Sequence, residues 1–312
     1  MGSVVGKVTR EAAAERLKGL FNITVTPFAA DGGLDRTGLA QAIERAIAAG
    51  YDGVLIGGTY GEFATMTADE RASLFRAAMG VVADRVPVLL CSAAADTRVA
   101  AELSALAVGL GGIPMVMPPY VSEVTEAQVE AFFRTLCAQL PAVVIYNAPG
   151  IGITLAPGLI ARLADIPGIV GLKQGELAPT VVDELVGRVG GRIRLFCASD
   201  LQMLGPVVAG FDGVSSTNSC ALPELIRQVY TALASGDAAR AGALQRSWYR
   251  YRAFARATGQ PQTVKAAMRI RSWNGGHVRA PLTDLAADRV AELEAIMAEL
   301  LAHPAGTLGR AA

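Results

Sequence analysis

The chain of 312 residues is 52% hydrophobic and 18% charged, and its formal net charge at pH 7 is +0. This composition can bury a large core and offers no charge excess that would attract nucleic acid or an anionic membrane. No apolar run reaches the roughly 18 residues that a membrane span needs, and the N-terminus lacks the pattern of a signal peptide. We therefore expect a cytoplasmic protein without nucleic-acid or membrane partners.

Cysteine and histidine usage argues against several chemistries. The four cysteines are widely spaced and form no C-x-x-C motif, so neither a zinc site nor a disulfide framework is predicted. The chain has only two histidines, His277 and His303, both close to the C-terminus. A histidine-dependent triad or metal site is therefore disfavoured, and we expect no bound metal.

Strand-like apolar runs alternate with amphipathic helical stretches after a lead-in, residues 1–18, that holds one short helix. The predicted strands are 23–28, 53–57, 87–92, 113–117, 142–147, 169–173, 193–198 and 213–216. The predicted helices between and after them are 35–49, 68–83, 97–110, 126–139, 157–164, 180–189, 201–209 and 223–235. Several helix starts carry a capping residue, namely Thr67, Thr125 and Asp200.

Eight strands, each followed by a helix, predict an α/β protein with a (β/α)₈ TIM barrel. A doubly wound open sheet is the alternative, but it would usually bring a glycine-rich loop after its first strand, and none follows here. Beyond residue 235 the pattern predicts three more helices, at 237–256, 261–273 and 283–301, and a fraying end at 304–312. We therefore divide the chain into a barrel with its lead-in, 1–235, and a C-terminal helical subdomain, 236–312.

A barrel places its active site at the carboxyl ends of the strands, and the sixth predicted strand ends in Lys173. The chain has only four lysines among its 28 basic residues, so it generally uses arginine for positive charge. Arginine cannot lose its proton, whereas a desolvated lysine amine can act as a nucleophile on a carbonyl. The alternative is that Lys173 closes the strand through an ion pair.

Other polar residues follow neighbouring strands. Gly58, Thr59 and Tyr60 form a turn after the second strand, Tyr120 follows the fourth, and Tyr146 ends the fifth. Two further candidate substrate-binding residues are Ile151, in the loop after the fifth strand, and Ser215, on the eighth. Each of these residues could have a purely structural role, for example in a plain βα loop or as a core aromatic side chain. Together they predict one active site at the mouth of the barrel.

This set of residues suits Schiff-base chemistry. A neutral lysine amine converts a ketone into an iminium, whose positive nitrogen withdraws electrons from the adjacent carbon as a cofactor would. With no histidine in these loops, a tyrosine hydroxyl such as that of Tyr146 is the natural proton carrier. The backbone N–H groups of the Gly58-Thr59-Tyr60 turn can hold the carboxylate of a 2-oxo acid.

Three motifs resemble those of the dihydrodipicolinate synthase/N-acetylneuraminate lyase family: Gly58 to Glu62, Tyr146 to Pro149, and Gly171 to Lys173. The resemblance covers residues 19–282. It implies a class I Schiff-base lyase that acts on pyruvate or a pyruvate-derived 2-oxo acid and needs no cofactor. It also implies a homotetramer, a dimer of dimers. By the same resemblance, Lys173 is the Schiff-base lysine, Tyr146 transfers protons with Thr59, and Thr59 and Tyr60 bind the pyruvyl carboxylate.

The sequence departs from the dihydrodipicolinate synthases of that family at two places. Ile151 stands where those enzymes have an arginine for the carboxylate of the semialdehyde substrate, and Tyr120 is followed by Val121 instead of an intersubunit tyrosine. Tyr60 makes the carboxylate turn similar to that of hydratase-aldolases with aromatic substrates. The turn after Lys173, and Tyr120 with its two preceding prolines, somewhat resemble those of sugar-acid dehydratases.

Three functions therefore compete. An aldolase or hydratase-aldolase that joins or cleaves pyruvate and an aldehyde is favoured by Ile151 and Tyr60. A dehydratase of a 2-oxo-3-deoxy sugar acid would use the same iminium, and a 4-hydroxy-tetrahydrodipicolinate synthase is less favoured because of Ile151. A catalytically silent barrel with a binding or regulatory role is disfavoured because Lys173 and Tyr146 are both present.

Overall fold

The computed structural model describes residues 8–302, in which eight parallel strands close into a barrel in the order β1 to β8. The strands are β1 (Gly19–Thr24), β2 (Gly53–Ile56), β3 (Val88–Cys91), β4 (Ile113–Val116), β5 (Val143–Asn147), β6 (Ile169–Gln174), β7 (Arg194–Cys197) and β8 (Gly213–Ser216). Closure is direct, because β1 pairs with β8 as well as with β2. The predicted TIM barrel is confirmed.

Thirteen helices lie among the described residues, and eight of them follow the eight strands. The helices are α1 (Arg10–Arg16), α2 (Arg36–Ala48), α3 (Ala68–Val82), α4 (Thr97–Gly109), α5 (Glu126–Cys137), α6 (Pro157–Leu163), α7 (Pro179–Val189), α8 (Leu204–Ala209), α9 (Pro223–Ala234), α10 (Ala238–Ser247), α11 (Tyr249–Thr258), α12 (Gln260–Ile270) and α13 (Ala287–Ala302). Thr67 and Thr125 cap α3 and α5 as predicted, each in a reciprocal capping box with a residue three positions later.

Two apolar clusters hold these layers together. The larger lies between the strands and the surrounding helices and continues into the C-terminal helices, where it includes Trp248, Val264 and Leu293. The smaller fills the inside of the barrel with side chains such as Phe21 and Phe196, whose rings meet edge to face 4.9 Å apart. Because the barrel interior is packed, only the layer at the carboxyl ends of the strands is open for chemistry.

The first strand is shifted relative to its prediction at 23–28. β1 ends at Thr24, and the predicted continuation includes Pro27, which has no N–H group to donate to a ladder. Phe28 instead forms isolated bridges with Leu34 and with His277, which belongs to the distant C-terminal region. The residues at 25–28 therefore form the loop at the barrel mouth.

Helix boundaries also differ from the prediction in three places. The stretch 237–256 is divided into α10 and α11 at Trp248, which is fully buried and bonds to Gln245 through its indole N–H at 3.1 Å. The last helix begins at Ala287 and not at 283, because Asp284 accepts hydrogen bonds from the His277–Val278 segment.

No helix among residues 8–302 is long and apolar enough to cross a membrane. The predicted fraying of 304–312 lies outside the described residues.

The helix after β7 starts later than predicted, at Leu204 and not at 201, and Asp200 does not cap it. The Asp200 carboxylate instead turns into the molecule, where only 2% of the residue is exposed. There it accepts hydrogen bonds from Ser216 and Asn218. Burial with a different set of donors has therefore overridden the local capping signal.

Candidate functional site

The conformation of the turn after β2 is fixed by its backbone torsion angles and by a hydrogen bond from the loop after β1. Gly57 has a φ of +65° and Glu62 has a φ of 59°, so the chain bends sharply at both ends of the short 3-10 turn Thr59–Gly61. The Thr26 hydroxyl donates to the Gly61 carbonyl at 2.7 Å. The first amides of such a turn have no intrahelical acceptors, so the N–H groups of Thr59 and Tyr60 are suited to an anion.

Glu62 anchors the same turn to the C-terminal helices through a buried ion pair with Lys265. Neither side chain is exposed, and the Lys265 amine also donates to the carbonyls of Thr26 and His277, each at 2.7 Å. Burial lowers the pKa of Lys265, and the Glu62 carboxylate opposes that shift. All three N–H bonds of this amine are engaged, so we assign Lys265 a structural role.

Lys173 has a different environment. It lies on β6 beside Tyr146 of β5, and only 3% of the residue is exposed. Its amine is 3.9 Å from the centre of the Tyr146 ring, and it forms no ion pair with any residue in the range 8–302. The alternative, that Lys173 closes the strand through an ion pair, therefore has no carboxylate partner among residues 8–302.

Burial changes the acidity of Lys173. Desolvation disfavours the charged amine and lowers its pKa from 10.5 to about 7, while the nearby thiols of Cys91 and Cys197 oppose the shift slightly. An amine with that pKa is present in the neutral, nucleophilic form to a large extent near neutral pH.

Tyr146, whose ring lies beside the Lys173 amine, is hydrogen-bonded to Thr59. Their hydroxyl oxygens are 2.9 Å apart, so one of them donates to the other across the end of the barrel. Burial raises the pKa of Tyr146 to about 12, and the bond to Thr59 opposes that rise. Tyr146 is therefore a neutral phenol at physiological pH, able both to donate and to accept a proton in a hydrogen bond.

Tyr60 lies beside this pair and points towards the C-terminal helices. Its hydroxyl accepts a hydrogen bond from the Gln260 side-chain amide at 3.3 Å. Burial raises the pKa of Tyr60 to about 12, and the neighbouring Tyr146 adds to the rise. The sequence prediction paired Tyr60 with Thr59 but had no means of placing Gln260 next to it.

The loop after β5 carries Ile151 and is held by Asn147. The Asn147 side chain accepts from the Leu155 amide at 2.9 Å and donates to the Leu155 carbonyl at 3.1 Å. It also donates to the Gln174 side chain at 2.9 Å, which joins the loops after β5 and β6. Ile151 packs partly against the apolar cluster inside the barrel.

The remaining predicted residues lie at the edge of the site or below it. Tyr120 is half-buried, with its ring 6.4 Å from that of Phe63, and Val121 beside it is 53% exposed. Ser215 is buried on β8 and donates to the Cys197 carbonyl at 3.2 Å. Unlike Thr59, Tyr60, Tyr146 and Ile151, Ser215 does not line the cavity at the mouth.

That cavity has a volume of about 650 Å³ and contains residues that sequence reasoning missed. Four of the predicted site residues, Thr59, Tyr60, Tyr146 and Ile151, line it, whereas Lys173, Gly58 and Tyr120 do not. The other lining residues are Ala148, Pro149, Gly150, Gly175, Ala198, Ser199, Leu201, Gln202, Ala255, Arg256, Gly259, Gln260, Pro261, Gln262 and Leu282. The residues after β7 could have been found from the rule that carboxyl ends of strands face the site. Those of α11 and α12 had no such signal.

Charge in the cavity is sparse. Arg256, an exposed residue at the rim, is the one lysine or arginine among the lining residues. Arg98 pairs with Asp96 on the surface, and Arg279 is bound to Glu70 and to the carbonyls of Gly32 and Thr65. Within residues 8–302, no group of three or more His, Cys, Asp or Glu side chains is arranged to hold a metal ion.

Comparisons with known proteins agree on one family. Residues 16–300 match the dihydrodipicolinate synthetase family. The chain is 35% identical over 285 residues to 4-hydroxy-tetrahydrodipicolinate synthase 1 of Streptomyces coelicolor, covering 89% of this chain and 92% of that protein.

Two solved structures give the same result. One is a prophage protein of the dihydrodipicolinic acid synthase family from E. coli K12, in complex with pyruvate. It is 28% identical, with a TM-score of 0.85 and coverage of 91% of this chain and 98% of the other. The chloride-inhibited dihydrodipicolinate synthase from Acinetobacter baumannii, also complexed with pyruvate, is 25% identical, with a TM-score of 0.86 and coverage of 91% and 99%.

Proposed function

The chain belongs to the dihydrodipicolinate synthetase family, and from this premise we propose that it is a Schiff-base lyase for pyruvate or a pyruvate-derived 2-oxo acid. One observation carries the proposal. The Lys173 amine is buried with no anionic partner among residues 8–302, and it lies 3.9 Å from the ring of a tyrosine whose hydroxyl meets that of Thr59. This arrangement joins a neutral nucleophile to a proton carrier.

The proposed chemistry follows from these contacts. The neutral Lys173 amine attacks the keto carbon, a C–N bond forms, and the carbonyl oxygen leaves as water after protonation. The resulting iminium accepts the electron pair released when a proton leaves the adjacent methyl carbon or when a carbon-carbon bond to that carbon breaks. Tyr146 carries the protons, Thr59 orients its hydroxyl, and the amides of Thr59 and Tyr60 bind the carboxylate.

Within that class we propose an aldolase or hydratase-aldolase that joins or cleaves pyruvate and an aldehyde. The aldehyde side of the cavity carries Ile151 and neutral amides such as those of Gln260 and Gln262, which suit an uncharged group. The test is incubation with pyruvate and a panel of aldehydes, with the products identified by mass spectrometry. A protein that forms no borohydride-reducible pyruvate adduct would contradict the proposal and favour a silent family member.

A dehydratase of a 2-oxo-3-deoxy sugar acid is the second candidate, because the same neutral amides could hold hydroxyl groups. The Lys173-Gln174-Gly175 turn resembles that of sugar-acid dehydratases, and its Gln174 has a structural role in this chain. Gln174 is buried and bonds to Asn147 and to the Glu176 carbonyl. Mass spectrometry separates the two candidates, because dehydration removes water from the sugar acid whereas an aldolase divides its carbon chain. The homotetramer and the independence from cofactors stay predictions.

The lowered pKa of Lys173 leads to a pH prediction. At fixed, non-saturating pyruvate, the rate of adduct formation should rise by up to about tenfold per pH unit below pH ~7 and level off above it, because only the neutral amine attacks. Quenching with borohydride at timed intervals and measuring the adduct by intact mass gives this profile. A rate that still rises at pH ~10 would mean that the amine keeps its ordinary pKa.

Ile151 leads to a prediction about the second substrate. Charge-assisted hydrogen bonds contribute about 1.5–3 kcal/mol each, so the absence of a bidentate arginine should weaken binding of aspartate semialdehyde by roughly two orders of magnitude or more. A carboxylate placed against the Ile151 alkyl group also loses its hydration without compensation. We therefore expect a lower kcat/KM for aspartate semialdehyde than for neutral aldehydes, each measured with pyruvate.

The same comparison has a clear contrary outcome. A tenfold or greater preference for the semialdehyde would show that another cation serves the site, and the structure identifies Arg256 as the lysine or arginine that lines the cavity. The Arg256→Gln variant then reports whether it is responsible. Arg98 and Arg279 are poor candidates because both are already engaged by other groups.

A further inference from the structure

A run of hydrogen-bonded polar side chains joins the end of β7 to Tyr60. It starts at Asp200, whose carboxylate is buried and accepts from the Ser216 hydroxyl, from the Asn218 backbone amide at 3.2 Å and from the Asn218 side chain at 2.9 Å. It continues through Gln260 to the Tyr60 hydroxyl. We call Asp200, Asn218, Gln260 and Tyr60 the Tyr60 chain.

The direction of each hydrogen bond in the Tyr60 chain is determined by the carboxylate at its start. Because Asp200 offers acceptors, the Asn218 side chain presents its NH₂ group, which donates to Asp200 and also to the Gln260 side-chain oxygen at 3.3 Å. Gln260 therefore turns its oxygen to Asn218 and its NH₂ group to Tyr60. Tyr60 is left in the role of acceptor, with its own proton still available.

The surroundings of the Tyr60 hydroxyl indicate where this proton is directed. Within residues 8–302 the hydroxyl donates to no other side chain or carbonyl, and Tyr60 and Gln260 both line the cavity. The hydroxyl of the neighbouring Thr59 instead bonds to Tyr146, whose ring lies beside the Lys173 amine. The Tyr60 side chain reaches Gln260 of α12, in the wall of a cavity that Lys173 does not line.

We propose that Asp200, Asn218 and Gln260 position the Tyr60 hydroxyl as a hydrogen-bond donor to an oxygen atom in the part of the substrate remote from Lys173. The inference rests on the proposed Schiff-base function and adds a specificity determinant to it. The cavity residues Gln202 and Gln262 are neutral, and Arg256, the one lysine or arginine of the lining, is exposed at the rim, so the oxygen is that of an uncharged group, such as a hydroxyl. In this role the Tyr60 side chain selects the second substrate, while its backbone amide binds the carboxylate.

The experiment uses two 2-oxo acids that form the Lys173 adduct themselves and differ at one atom. In 5-hydroxy-2-oxopentanoate a terminal hydroxyl stands where 2-oxohexanoate has a terminal methyl group. Each acid is titrated against the protein, the adduct is reduced with borohydride, and intact mass gives the concentration for half-maximal labelling. The hydroxy acid also closes to a cyclic hemiketal, but to the same extent for every variant, so the change of the ratio of the two concentrations between variants isolates the contribution of the hydroxyl.

We expect the wild-type protein to favour the hydroxy acid and the Tyr60→Phe variant to lose that preference by about 3- to 10-fold, the usual value of one neutral hydrogen bond. Gln260→Glu should have the same effect near neutral pH, because the new carboxylate can only accept and turns the Tyr60 proton away from the cavity. The double variant should show little additional loss, since both changes remove one interaction. The control Tyr230→Phe, a tyrosine in a separate surface pocket with Asp52 and Asp212, should keep the wild-type ratio.

Each contrary result has a separate meaning. A ratio of half-maximal concentrations that Tyr60→Phe leaves unchanged would overturn the proposal. If Tyr60→Phe raised the half-maximal concentration for pyruvate as much as that for the hydroxy acid, the proposal would also be overturned, because the Tyr60 hydroxyl would then serve the carboxylate. No adduct with any 2-oxo acid in the wild-type protein would instead overturn the proposed function.

Discussion

Replacing Lys173 by alanine or arginine is expected to abolish covalent labelling by pyruvate. The wild-type protein should gain one reduced adduct per subunit after borohydride treatment, and both variants should gain none, as measured by intact mass. Alanine removes the amine, and arginine keeps the positive charge but cannot be deprotonated to become a nucleophile. Lys173→Arg therefore tests the neutral amine and not merely the charge.

The matched control for this experiment is Lys18→Arg, an exposed lysine that lines a separate pocket with Gly19 of β1. That variant should be labelled like the wild type. Lys265 is the more demanding comparison, because it is also buried and also has a lowered pKa. Its amine is nevertheless bound to Glu62, so an adduct that maps to Lys265 by peptide digestion would contradict our assignment.

Tyr146→Phe is expected to reduce kcat by a factor of about 10² to 10⁴, the usual contribution of a positioned acid-base group. The change removes the hydroxyl that meets Thr59 but keeps the ring beside the Lys173 amine. The fold should therefore be retained, which circular dichroism and thermal unfolding would verify. Turnover with pyruvate and the preferred aldehyde is the readout.

Two companion variants make the Tyr146 result specific. Tyr249→Phe alters a tyrosine that is 58% exposed on α11 and should leave kcat close to the wild-type value. Tyr120→Phe removes the other candidate proton carrier, whose ring is half-buried at the edge of the site. A loss of only a few-fold in Tyr146→Phe, together with a large loss in Tyr120→Phe, would transfer the proton-carrying role to Tyr120.

Both predictions started from residues that the sequence alone brought together. The alternation of apolar runs and amphipathic helices is a local property of the chain, and it predicted eight strands, seven of them in nearly their observed positions. Once a barrel is predicted, the carboxyl ends of its strands must meet at one mouth, so Thr59, Tyr146 and Lys173 were expected to be neighbours. Predictions from local sequence were wrong where residues that are distant in the chain come into contact. Phe28 pairs with His277, and Asp200 turns inwards to bond with Asn218.

The sequence by itself thus determined the barrel, the order of its elements and the identity of the residues at its mouth, because hydrophobic periodicity and strand direction are properties of the local sequence. Only the tertiary structure decided that Lys173 has no carboxylate from the described part of the chain beside it, since burial and the positions of charges depend on the whole packed barrel. The same holds for the Lys265–Glu62 pair and for the contact between Gln260 and Tyr60. These partners lie about 200 positions apart in the chain, and no local pattern indicates which side chains will meet when the C-terminal helices pack across the mouth.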